Sequence, residues 1–203
     1  MERTLRETLR EVARFYDERK VGDVGALGFR RSTDLTTLLA CLGHMLGEGI
    51  VRKDESLFLD LGCGDGRVNL FMGYMVKTSV GIETDGWTLE EYGPLRSELE
   101  QVLDKDGLLS PPGNVFLYEG DSKDESVYDR ITRETGIGFD DFDLFYTYLV
   151  MHQEFAQLIA ESAKKGAIFM VYGLHRILPQ YEGLSLLSHI SPLERILALY
   201  QKD

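Results

Sequence analysis

Apolar residues recur at helical intervals through the first fifty positions and then give way to short apolar runs. Leu5, Leu9, Val12 and Tyr16, with Phe15 on the flank, mark one face of a first helix, and Thr4-Leu5-Arg6-Glu7 has the form of a capping box. Residues 21–31 contain Gly22, Gly25 and Gly28 and read as a loop. Ser32 or Thr33 then caps a second helix, in which Leu35, Leu38, Leu39, Leu42, Met45 and Leu46 form one stripe. From Leu57 the period changes. Apolar runs at 57–61, 80–83, 114–119, 142–150 and 167–172 read as strands. Helical patterns separate them at 67–76, 84–103 (with a break near Gly93-Pro94), 126–135 and 153–165. A short segment near 175–179 follows, and then two final strands at 184–190 and 195–201. This alternation predicts an α/β fold, a doubly wound and mostly parallel sheet closed by an antiparallel hairpin, in one domain of 203 residues. Residues 1–51 read either as a helical lid over the site or as a cover for the sheet; 57–203 form the core.

The candidate chemistry lies where the first strand ends. Leu57-Phe58-Leu59-Asp60-Leu61 runs into Gly62-Cys63-Gly64-Asp65-Gly66, and a helix opens at Arg67. Three alternating glycines permit a tight turn and a close approach of backbone to a ligand, at the strand-to-helix junction where open α/β sheets bind ligands. About twenty residues on, the next run ends in Glu83, a spacing that suits a carboxylate holding ribose hydroxyls.

With Asp60, Gly62, Gly64, Gly66 and Glu83 in these positions, the chain resembles the class I, seven-strand Rossmann-like methyltransferases that use S-adenosylmethionine. The resemblance implies S-adenosyl-L-methionine as cofactor and S-adenosyl-L-homocysteine as product. It further implies cofactor contacts from Asp60, Gly62, Cys63, Gly64, Glu83, Thr84, Asp121, Ser122 and Thr147. Asp121 takes the place after the third strand where the family binds the adenine amino group. In Phe29-Arg30-Arg31-Ser32-Thr33, Arg30 or Arg31 is placed to pair with the cofactor carboxylate. Trp87 reads either as a stacking partner for adenine or as a core residue with Leu95. Catalytic candidates at the expected transfer face are Tyr146, Tyr148, His152, Glu154 and His175.

Departures from the family narrow the acceptor to an amine or a hydroxyl. Tyr148-Leu149-Val150-Met151 stands where adenine or glutamine methyltransferases carry Asn-Pro-Pro-Tyr or Asp-Pro-Pro-Tyr. The acid clusters of the metal-dependent enzymes are missing after the same strand, so no metal is expected. Thr147-Tyr148-Leu149, Lys165-Gly166, Pro179 and Leu197-Ala198-Leu199-Tyr200 also look like the short seven-strand protein-lysine methyltransferases, which suggests a protein acceptor beside a small-molecule one. That subgroup carries Pro-Thr before the second helix, where this chain has Ser32-Thr33. Two other readings stay open: a catalytically silent cofactor-binding sensor or scaffold, and an NAD-dependent oxidoreductase.

Charge changes the picture in one respect. The formal net charge is -12, and the first 31 residues hold 8 basic and 6 acidic groups against 14 and 28 in the rest. An acidic body disfavours a broad nucleic-acid footprint, which needs clustered Lys and Arg. Cys41 and Cys63 stand in no metal-ligand spacing and read as free thiols. With no apolar stretch long enough for a span, the expected compartment is the reducing cytoplasm.

Overall fold

The structure, a computed structural model, describes residues 1–19, 21–25, 28–30 and 32–203. In chain order its elements are α1 (Arg3–Asp17), β1 (Val21–Gly25), β2 (Gly28–Arg30), α2 (Leu35–Gly47), β3 (Leu57–Asp60) and α3 (Arg67–Gly73). There follow β4 (Thr78–Glu83), α4 (Gly86–Glu90), α5 (Tyr92–Lys105), β5 (Val115–Glu119) and α6 (Glu125–Thr135). After a 3-10 turn at Phe139–Asp141 come β6 (Leu144–Tyr148), α7 (His152–Ser162), β7 (Ile168–Tyr172), β8 (Leu184–Leu186) and β9 (Leu197–Lys202).

Seven strands form one sheet in the order β5-β4-β3-β6-β7-β9-β8. The strands from β5 to β7 are parallel, and β9 runs antiparallel to both β7 and β8, so the sheet is mixed. Strand side chains alternate between two cores. Phe58, Leu144, Met170 and Leu199 face the layer built by α1, α2, α3 and α5, while Leu59, Phe145, Phe169 and Ala198 face α6 and α7. Runs that are apolar at every position therefore mark strands covered on both faces. Chain direction reverses about β3: the path winds outward through β4 to β5, then returns to place β6 on the other side of β3. The crevice beyond the carboxyl ends of β3 and β6 is the topological switch point.

Several local expectations are corrected. The loop read at 21–31 contains an antiparallel pair, β1 with β2, joined in register at Val21 with Arg30 and at Gly25 with Gly28. No capping box forms at Thr4, because α1 begins earlier with Glu2 at its N-cap. Asp34, rather than Ser32 or Thr33, caps α2 and accepts from the Thr37 amide at 2.6 Å. Asp17, at the end of α1, also accepts from the Leu35 and Thr36 amides at 2.8 and 3.0 Å, so a neighbouring helix supplies a second cap. The break expected near Gly93-Pro94 falls at Glu91, and the segment 74–76 is a turn rather than the end of α3. Trp87 is 84% exposed and is no core residue.

Gly81, inside β4, shows why a strand interior carries a glycine. A Cβ there would lie 2.6 Å from Asn69 Oδ1 and 2.8 Å from Cys63 Cβ. Asn69 fills that space to donate to Val80 O at 2.8 Å and Ser79 Oγ at 3.1 Å, which pins α3 to β4.

Helices α1 and α2 belong to the core under one sheet face. Leu9, Val12 and Tyr16 of α1 and Leu35, Leu38 and Leu42 of α2 have no exposed surface and share one apolar cluster with Phe58, Leu144 and Met170. Burying each such side chain contributes about 1.5–3 kcal/mol. A buried ion pair ties this layer to the glycine loop. Arg67 lies against Asp65 with Nη2 to Oδ2 at 2.9 Å and Nε to Oδ1 at 3.0 Å, and its Nη1 donates to Tyr16 O at 3.1 Å. Removing the guanidinium would leave the Asp65 carboxylate buried and unpaired. Arg67→Met should therefore lower the unfolding free energy by about 3–5 kcal/mol, measured by urea unfolding, and adding Asp65→Leu should recover much of that loss.

No helix among the described residues is long and apolar enough to cross a membrane.

Candidate functional site

A cavity of about 580 Å³ opens at the switch point. Its walls come from the carboxyl ends of four parallel strands, and the nine residues read from the sequence as cofactor contacts all line it. Asp60, Gly62, Cys63 and Gly64 come from the turn after β3, Glu83 and Thr84 from the end of β4, Asp121 and Ser122 from the turn after β5, and Thr147 from β6. The glycines serve different purposes. A Cβ on Gly62 would meet nothing within 4 Å, so this glycine leaves a cradle on the cavity wall. Gly66 has φ of 74°, and a Cβ there would lie 2.6 Å from the Leu117 side chain, so the third glycine serves the turn and its packing.

The end of β4 holds this turn in place. Glu83 Oε2 accepts from the Gly64 amide at 2.9 Å, and Oε1 accepts from the Asp85 amide at 3.0 Å. Thr84 Oγ1 donates to the same Oε1 at 3.3 Å, so one carboxylate on the cavity wall organises the backbone of both turns. Ser122 Oγ donates to Leu61 O at 2.8 Å, which joins the turn after β5 to that after β3. Thr147 Oγ1 donates to Val150 O at 3.0 Å and closes the turn after β6.

The end of the cavity beside β6 is hydroxylic and apolar. Tyr146 is buried beside Asp60, its register partner across the sheet, and its hydroxyl lies 2.6 Å from that of Thr33. Burial raises the Tyr146 phenol well above its ordinary value, with a further push from Asp60, so it keeps its proton and acts as a hydrogen-bond group rather than a base. Tyr148 also lines the cavity and packs its ring 5.2 Å from that of Tyr172. Leu149 and Met151 adopt positive φ, 53° and 49°, in the turn that follows. A Cβ on Gly173 would come within 2.8 Å of the Leu149 side chain, so Gly173 makes room for this turn.

The other catalytic candidates lie elsewhere. His152 is not among the lining residues, and its Nδ1 is 2.6 Å from the Tyr181 hydroxyl. Glu154 is exposed on α7, and His175 Nδ1 lies 3.2 Å from Arg195 O. Trp87 does not line the cavity. The pairing suggested for Arg30 or Arg31 lies outside the described residues. Thr33 and Phe155 are among the lining residues that the sequence did not mark as site residues; the Ser32-Thr33 pair before the second helix is the one signal for the former.

Electrostatics distinguish the ligands this cavity suits. Asp60, Asp65, Glu83 and Asp121 line it, and Arg67, the one Lys or Arg among the described lining residues, is held by Asp65. Such a site favours hydroxyls, amines and cationic groups and repels a pyrophosphate. Gly62 N donates to Asp60 Oδ1 at 3.2 Å, but burial outweighs this bond and pushes the Asp60 carboxyl up to about 8.

No protein-family model matches the chain, and no curated protein matches it. Solved structures do. The chain has the Rossmann-like methyltransferase fold, a seven-stranded α/β sheet. It is similar to yhhF from Escherichia coli, with 18% identity, a TM-score of 0.55 and 90% of each chain covered. A mutant of MtNAS gives a TM-score of 0.56 at 13% identity over 98% of this chain and 70% of that one. The tRNA methyltransferase TrmI from Aquifex aeolicus gives 0.50 at 15% identity, over 83% of this chain and 54% of its own length.

The Asp60 environment carries a pH dependence. An unfolded Asp ionises near 4, whereas the folded one keeps its proton to about 8. Between these values the unfolded chain binds fewer protons than the folded one, so raising the pH favours unfolding, and above the folded value the penalty levels off. Asp60→Asn should flatten this fall of melting temperature between pH 5 and 8 relative to the parent protein in the same buffers; parallel curves would remove Asp60 as the cause.

Proposed function

We propose that this protein is an S-adenosyl-L-methionine-dependent methyltransferase acting on an amine or hydroxyl acceptor, with a protein lysine as the favoured amine. The observation that carries the reading is the Glu83 carboxylate on the Gly64 amide beside the open cradle at Gly62. A ribose-binding acid and a glycine turn thus meet in a cavity whose charge suits a cationic nucleoside. The turn argues against a dinucleotide, since its third glycine, Gly66, comes one residue earlier than in the Gly-x-Gly-x-x-Gly turn that holds a pyrophosphate.

When bound, S-adenosyl-L-methionine supplies a methyl group already activated on a sulfonium. Glu83 would then face the ribose hydroxyls, Asp121 and Ser122 would border the base, and Asp60 would lie below the turn as a hydrogen-bonding group. Thr33 and Tyr146 together carry two hydroxyl hydrogens and share one bond, which leaves one hydrogen to donate into the cavity. Tyr148 and the turn at 149–151 wall off the transfer end, so alignment and exclusion of water account for the catalysis. Residues 1–203 act as one domain in this reading, since the N-terminal helices share their core with the sheet. Cys41 and Cys63 are unpaired and buried, which fits a reducing compartment such as the cytoplasm.

Calorimetry tests the reading directly. S-adenosyl-L-homocysteine should bind the purified protein and NAD should not, and Glu83→Gln should weaken S-adenosyl-L-homocysteine by tenfold or more, about 1.4 kcal/mol for each factor of ten. Binding of NAD alone, or unchanged affinity in a folded Glu83→Gln variant, overturns it.

A further inference from the structure

Among the described residues, the most exposed large apolar side chains are not scattered. Ile177 is 85% exposed, Trp87 84% and Val150 64%, and each follows the carboxyl end of a parallel strand, β7, β4 and β6 respectively. The three therefore share one edge of the sheet, the edge at which the cavity opens, and Val150 lines the cavity itself. With β3 and β6 between β4 and β7, and strands about 4.8 Å apart, the anchoring strands span roughly 14 Å of that edge. A Trp left almost wholly in water at a cavity mouth, with two aliphatic side chains across from it, has the composition of an interface anchor.

Charge identifies the kind of partner. Leaving out Asp85 and Glu91, which have partners of their own, the described segments that leave the strands at this edge, 84–91, 120–125, 149–154 and 173–177, hold Glu90, Asp121, Asp124, Glu125 and Glu154 against Lys123 and Arg176. The entry to β9 adds Glu194 and Arg195, which offset each other. Asp85 and Asp124 cap their helices there, and the hydrogen bonds from Ser126 hold the Asp124 carboxyl below its ordinary value. A nucleic-acid backbone is repelled by such an edge, whereas an extended basic segment is attracted and can lay apolar side chains on the three anchors.

We propose that the cavity mouth is a docking rim for an extended, basic and partly apolar protein segment, gripped by Trp87 and Ile177 on either side of Val150. The proposal rests on the methyl-transfer reading of the cavity and deepens it: the acceptor is a lysine delivered by a docked segment rather than a small amine entering alone. Neither Trp87 nor Ile177 lines the cavity. The rim and the cofactor site are thus separable by mutation.

Trp87 is the single tryptophan of the chain and reports on its own burial. The probes are a 14-residue peptide of alternating lysine and leucine, the same peptide with glutamate for lysine, and a single-stranded RNA 12-mer, the lengths being on the order of the rim span plus flanks. Added to protein saturated with S-adenosyl-L-homocysteine, the lysine peptide should give a saturable blue shift of Trp87 emission that weakens with salt. The glutamate peptide and the RNA should give none. Ile177→Ser should weaken lysine-peptide binding at least fivefold with S-adenosyl-L-homocysteine affinity unchanged. No shift with the lysine peptide, an equal shift with the glutamate peptide, a shift with RNA, or an unaltered Ile177→Ser titration overturns the rim. Failure of S-adenosyl-L-homocysteine to bind in calorimetry instead defeats the methyltransferase reading, whatever the peptides do on the free protein.

Discussion

The Glu83 carboxylate on the Gly64 amide is the interaction from which the rest of the site follows. After β3 the chain turns through glycines and leaves backbone N–H groups without a neighbouring strand. Such groups are costly to bury unpaired. Glu83, at the end of the adjacent strand, satisfies one of them and accepts from Asp85 and Thr84 at its other oxygen. One side chain thereby fixes the turns after both β3 and β4, and the space between them is the cavity. Gly81 contributes from inside β4 by letting Asn69 and Cys63 approach the strand. The acid has a structural role before any ligand arrives.

A second set of contacts explains why the N-terminal helices are both cover and wall. Their apolar faces lie beneath the sheet, in the same cluster as Phe58 and Met170, so they are core elements first. Among the described residues of this N-terminal part, Ser32 and Thr33, between β2 and α2, line the cavity. Arg67 binds the Tyr16 carbonyl on one side, Thr33 meets the Tyr146 hydroxyl on the other, and Asp17 caps α2 between them. Displacing this layer would therefore disturb the glycine turn and the transfer end together. A hinged lid requires few such links; here the links are polar and largely buried.

The strands and the glycine turn were legible because their signals are local: apolar runs covered on both faces, and glycines at fixed spacing from two acids. Those signals carry the family resemblance, and it is the resemblance that names nine of the lining residues. The β1–β2 pair was not legible, since three glycines in eleven residues imitate a loop and the pairing depends on what the hairpin packs against. Helix caps failed for a related reason. Ser32, Thr33 and Asp34 are all competent caps, and only the fold decides that Tyr146 engages Thr33 and leaves the role to Asp34. Trp87 shows the opposite case, a residue whose helical spacing with Leu95 suggests burial and whose place in the short helix α4, just past the end of β4, leaves it exposed. His152 followed the correct strand, yet its ring meets Tyr181 because α7 starts at that residue and turns it away from the cavity.

Under the proposed reading the transfer end must receive an amine without its proton, and the described cavity offers no side chain suited to remove it. Tyr146 holds its own proton through burial. Asp60 lies at the cofactor side of the cavity with its carboxyl also pushed toward the neutral form. The environment itself supplies the alternative. Leu149, Val150, Met151 and Phe155 wall the transfer end with apolar surface, and an ammonium drawn out of water into such surroundings has its pKa lowered. The acidic edge outside attracts the charged lysine, the apolar passage favours its neutral form, and the proton leaves to the water that the side chain abandons. Attraction and deprotonation are thus assigned to successive zones of one surface, which is why a site without a general base can still accept an amine.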